Sequence, residues 1–209
     1  MTAIGGQNFR VPLVLLALLS PVFVWSWIDA YDRLVWWLEA SPAVIAVILL
    51  GATAHRFRFT DLVYILIALH AVLLLVGAHY TYSRMPLFNH LSDMLDLGRN
   101  HYDRLGHIFQ GFVPAMVARE LLLRTSPLRP GKWLFALIVL SCAGISAIYE
   151  IIEWLSAEIG HDGSDDFLGS QGDIWDAQKD MLLCTLGAMA AQLLLARTHD
   201  RQLAMATPS

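Results

Sequence analysis

Three sets of polar side chains recur at helical spacing in an otherwise apolar sequence. Asp103 and His107 are four residues apart, with Gln110 one turn further along. Glu150 and Glu153 are three apart, beside Tyr149 and Trp154. Asp173, Asp176 and Asp180 follow i, i+3, i+7 spacing, with Gln171 and Trp175 next to them. Residues at these separations share one helical face, so each set points its groups in one direction. Carboxylates brought close together cannot all stay ionised without a cation, so such a cluster carries protons or holds a metal. Oxygen-rich sets suit Mg, Ca or Mn, and a His extends the range to Zn. Paired carboxyls can also serve as general acids and bases.

The expected working groups are Asp103, His107, Glu150, Glu153, Asp173, Asp176 and Asp180. Metal ligation falls to His107, Glu150, Glu153, Asp173 and Asp176, and a divalent cation is the cofactor this set suits. Gln110, Tyr149, Gln171 and Trp175 are the expected supporting contacts. A plainer reading stands beside this one. Carboxylates at a membrane boundary can simply be hydrated, Asp173 can cap a helix, and Arg104 and Lys179 can neutralise their neighbours.

The elements that must position these groups are membrane helices. Of 209 residues, 56% are apolar and only 15% charged, and the mean hydropathy is +0.53. Soluble domains average about 25% charged residues. Lys+Arg is 14 against 18 Asp+Glu, a net charge of -4, which speaks against a nucleic-acid partner. Two cysteines cannot build a disulfide scaffold.

The apolar residues come in spanning lengths. Val11 to Ile28 is an 18-residue uncharged run, enough for roughly 30 Å of hydrocarbon. The pattern predicts an all-α polytopic bundle in one integral membrane domain over residues 1–209, with six helices near 11–28, 36–54, 62–79, 105–123, 133–154 and 178–196. The fourth is interrupted by Arg119 and Glu120. The first has one preceding basic residue, Arg10, and no small-residue cleavage site, so it reads as a retained helix and not a signal. Leu87, Leu91, Met94 and Leu95 suggest a short surface helix, and residues 156–177 read as an irregular Gly- and Asp-rich loop.

Orientation follows the basic residues. Arg10, Arg56, Arg58, Arg124, Arg129, Lys132, Arg197 and Arg201 fall on one side, against Arg33, Arg84, Arg99, Arg104 and Lys179 on the other. That bias predicts cytoplasmic termini and places all three polar sets at outer helix ends. Trp25, Trp27, Trp36, Trp37, Trp154 and Trp175 would form an outer aromatic belt. Arg119 reads as a snorkelling side chain, His70 as a packed and hydrogen-bonded one, and Cys142 and Cys184 as small buried apolar groups.

Several catalytic motifs fail. Gly144-Ile145-Ser146-Ala147-Ile148 lacks the last glycine of a nucleophile elbow. Asp162-Gly163-Ser164-Asp165-Asp166-Phe167 begins like a calcium loop, but Phe167 stands where Gly is required.

The runs Tyr102 to Phe112, Tyr149-Glu150-Ile151-Ile152-Glu153-Trp154 and Gln171 to Met181 resemble the YjdF family of bacterial inner-membrane proteins. The likeness implies a multi-pass protein of the bacterial inner membrane. A more distant likeness is to VanZ-like proteins, associated with teicoplanin resistance, through Asp103-Arg104 with His107 and through Asp180 with Gly187. Arg104 replaces a Lys of that pattern and Cys184 an Asn; the likeness implies a shared four-helix core. Three functions fit these residues. The first is binding or modifying a lipid-linked or cell-envelope substrate, the second a cation or proton transporter, and the third a non-catalytic structural subunit. The lipid bilayer is the expected surrounding in each.

Overall fold

The computed structural model describes residues 9–159 and 170–206. Its order is α1 (Arg10–Trp27), α2 (Arg33–Thr53), α3 (Asp61–Tyr80), a 3₁₀ turn (Tyr82–Arg84), α4 (Pro86–Leu95), α5 (Tyr102–Thr125), α6 (Lys132–Ile159) and α7 (Asp176–Ala206). There is no strand among the described residues. Six long helices form a polytopic membrane bundle, and the short α4 is the surface helix expected from its apolar spacing.

Five of the six long helices are apolar enough to cross a membrane by composition alone, and α5 is the exception. It survives because it is central. It packs on α7, α6 and α3, while α1 and α2 pack on α3. Its polar groups therefore face protein and not lipid, whereas large apolar side chains such as Leu18, Ile48, Leu69, Leu140 and Leu193 cover the outside of the bundle.

Without a hydrophobic drive between helices in lipid, close packing relies on small residues. The α5–α7 contact is such a case. A Cβ on Gly111 would lie inside the Cys184 carbonyl and within 2.9 Å of Ala188 N, and one on Gly187 would meet the backbone of Ile108 and Phe112. The two glycines face each other's helix reciprocally. This brings the His107 turn of α5 against the Asp180 turn of α7.

Two helix ends lie well past the sequence reading. Helix α6 runs five residues past 154 and takes up the start of the expected loop, and α7 runs to Ala206, ten past 196. At 28 and 31 residues, these helices are about 42 and 46 Å long, so both project beyond the hydrocarbon. The calcium-like stretch 162–167 lies outside the described residues. Trp36 leaves the aromatic belt altogether. It is fully buried, its Nε1 donates to Ser26 Oγ at 2.8 Å, and Phe23, Trp27 and Trp37 pack edge-on around it.

Candidate functional site: a buried acidic and histidine centre

One end of the bundle gathers the candidates. The first turns of α5 supply Asp103 and His107, the last turns of α6 supply Glu150 and Glu153, and the start of α7 supplies Asp176 and Asp180. Ligand atoms of Asp103, His107 and Glu153 lie within 4.8 Å of one another. The same holds for His107, Glu150 and Asp180, and for Asp103, Asp176 and Asp180. All six belong to one connected set. Five of them are buried and Glu150 is partly buried.

His107 is the hub. Its Nε2 lies 3.3 Å from Glu150 Oε1 and 3.6 Å from Asp103 Oδ1. Its ring also meets the Gln110 side chain, while Asp180 Oδ1 is buried with no hydrogen-bond partner. Unpartnered buried polar atoms are costly, and ionisable ones at membrane depth more so. Oxygens with one imidazole form a donor set that fits Mg, Mn or Zn.

Asp173 stands apart. Because α7 begins at Asp176, it precedes the helix instead of sharing its face. Asp173 Oδ1 accepts from Trp175 N at 3.1 Å, and Oδ2 pairs with Arg104 at 2.6 Å and with Lys179. Those contacts, led by Lys179, hold its carboxyl down at about 2. Arg104 and Lys179 neutralise it, its Oδ1 accepts from an N–H that precedes the helix, and none of the grouped ligand sets includes it.

The expected supporting residues divide. Tyr149 packs edge-on to His107, and its hydroxyl reaches the Leu38 carbonyl at 3.5 Å. That carbonyl lacks its usual helical donor, because Pro42 has no N–H to give. Gln110 lines a small space together with Asp103, His107 and Tyr149, its side chain beside the His107 ring. Gln171 instead clamps Asn100, accepting from its N at 2.9 Å and donating to its carbonyl at 3.0 Å. Trp175 is exposed, away from the buried set.

The comparisons with known proteins agree with this architecture. A family model described as "Predicted membrane protein (DUF2238)" matches residues 11–201, from α1 well into α7. The chain belongs to the DUF2238 family. It is 48% identical over 185 residues, 88% of each chain, to the inner membrane protein YjdF of Escherichia coli (strain K12). No solved structure matches this DUF2238 chain, and the matches do not bear on the VanZ-like pattern.

Sequence reasoning missed two residues of this DUF2238 member. Arg99 forks onto both oxygens of Asp176 and also donates to the Ser170 carbonyl. Glu39 of α2 is buried, and its Oε1 accepts from Tyr82 N at 2.9 Å. A single acid inside an apolar span was its only signal. His70 differs from expectation as well, since its Nε2 is buried without a hydrogen-bond partner.

A second ionic network occupies the opposite end. Glu120 accepts from Thr60 N, Thr60 Oγ1, Arg124 and His199 Nε2, at 2.7 to 3.1 Å. Arg119 lies 2.7 Å from both His199 Nδ1 and Asp200. A guanidinium only donates, so Nδ1 must accept and the His199 proton sits on Nε2, facing Glu120. Arg119 is 4% exposed and does not snorkel. Its partners lie on the extension of α7 beyond 196.

Proposed function

We propose that this inner-membrane-type protein binds a divalent cation in its acidic and histidine centre and acts there on the polar head of a lipid-linked or cell-envelope substrate. The observation that carries the reading is the convergence of six ionisable side chains from three helices, with Asp180 Oδ1 buried and unpartnered. A cation relieves the repulsion among Asp103, Glu150, Glu153 and Asp180, and open coordination positions favour a phosphate-like oxyanion. Glu150, beside His107, is placed to take or give a proton. The basic-residue bias puts this end at the outer face and both termini in the cytoplasm. A proton or cation relay receives less support, because the space between the two ionic ends is walled by apolar residues such as Leu50, Ile67, Val113 and Val117.

Calorimetric titration of the purified protein in nanodiscs with Mn²⁺ and Zn²⁺ tests the proposal. One bound ion is expected, with affinity at least tenfold lower in His107→Ala and Asp180→Asn while thermal unfolding remains cooperative. Absence of binding by either metal to the wild type overturns it.

A further inference from the structure

A cavity of about 550 Å³ lies among α2, α3, α5 and α6. Leu49 on α2 and Ile145 on α6 line it and are also 58% and 50% exposed on the outside of the bundle. The cavity therefore opens sideways, between α2 and α6, onto the surface that faces lipid. Its other end meets a smaller space of about 50 Å³, largely apolar in its walls, that Asp103 and His107 also line. Pro42, His70, Leu74, Gln110 and Tyr149 line both spaces and form the neck between them.

At this neck the buried His70 Nε2 has no hydrogen-bond partner, and the buried Gln110 Oε1 has only the neighbouring His107 ring to pair with. They sit on different helices, α3 and α5, and line the same two spaces. Leaving such atoms unpaired is costly. One hydroxyl group could serve both, donating to the Gln110 amide oxygen and accepting from His70 Nε2–H. An apolar space open to lipid, a polar neck and an ionisable chamber follow one another in the order of the parts of a lipid.

We infer that the cavity holds the single hydrocarbon chain of an amphiphile that enters from the bilayer between α2 and α6, with a hydroxyl-bearing linkage held by His70 and Gln110. Its head reaches the acidic chamber; that part rests on the proposed cation centre, whereas the chain pocket does not. Lysophospholipids have this construction, and two-chain lipids without a free hydroxyl do not.

The test is photo-crosslinking in nanodiscs with a lysophosphatidylglycerol carrying a diazirine on its chain, followed by peptide mapping. Adducts are expected to concentrate on 42–53 and 110–121. Ala46→Trp, which fills the cavity, should lower them at least tenfold while leaving metal titration unchanged. His70→Leu combined with Gln110→Leu should remove the preference for the lyso form over a two-chain diazirine lipid. If Ala46→Trp does not fold, Ala46→Leu and Val117→Phe are read in its place. Adducts spread evenly over the lipid-facing sides of α1 and α7, or unaffected by filling the cavity, overturn the inference. Failure of metal binding with adducts still concentrated removes the cation reading alone. Intact metal binding without concentrated adducts removes the chain pocket alone.

Discussion

Arg99 forks onto Asp176, the carboxylate that also stands within ligand distance of Asp103 and Asp180. The pair joins the segment before α5 to the first turn of α7, and both side chains are under a tenth exposed. Arg104 reaches the same carboxylate at 3.4 Å. Asp176 is therefore shared between an ion-pair clamp and the candidate metal centre.

Breaking a buried pair by removing one partner costs about 3–5 kcal/mol, because the other charge remains buried. Arg99→Met should fall at the lower end of that range, since Arg104 remains. Thermal unfolding in detergent reads the loss, and the double variant with Asp176→Leu should be more stable than Arg99→Met alone.

The α5–α7 contact predicts opposite effects for glycines in different helices. Gly111→Ala and Gly187→Ala push a methyl into backbone that no rotamer change can clear, so each should cost at least the roughly 1–3 kcal/mol of overpacking. Gly144, inside α6, has nothing within 4 Å of the place a Cβ would take, so Gly144→Ala should gain up to about 1 kcal/mol. Unfolding midpoints of the three variants check the sign of each.

Removing the acceptor at the centre of the opposite network should be severe. Glu120→Ala strands Thr60 N, His199 and Arg124 and should cost about 3–5 kcal/mol. Metal titration of any folded fraction should match wild type, because Glu120 belongs to none of the candidate ligand sets.

Asp173 gives a pH signature. Its carboxyl is held from an ordinary 3.8 down to about 2, first by Lys179 and then by the Trp175 N–H. A depressed carboxyl stabilises the folded state above its unfolded pKa, and the effect disappears as pH falls through the folded value. Asp173→Asn should therefore be less stable than wild type by a constant margin from about pH 8 to about pH 5, and the margin should close towards about pH 2. Paired melting curves across that range are the measurement.

Helical spacing made all six grouped side chains legible, Asp176 and Asp180 among them. Asp103 with His107, and Glu150 with Glu153, could be placed on shared faces because i, i+3 and i+4 positions are local properties of one helix. What faces each set is non-local. Arg99 lies outside any helix, and Glu39 has no polar neighbour at helical spacing, so neither announced itself. His199 and Asp200 were hidden because the apolar run ends near 196, although the helix continues, held by Glu120 and Arg119. Trp36 shows the same limit from the other side. A ring type common at headgroup level is here core, because α1 and α3 cover it, and no pattern within α2 records them.

The polarity of α5 also governs the order in which this protein can be made. A helix bearing Asp103, Arg104, Arg119, Glu120 and Arg124 gains too little from lipid to enter it alone. Glu120 and Arg124 meet Thr60 and Arg58 before α3, but the partners of Arg104 and Arg119 lie at or beside α7, which leaves the ribosome later. The seat of α5 is complete only once Gly187 meets Ile108, so a chain cut short before α7 is expected to hold its fourth long helix in the membrane poorly.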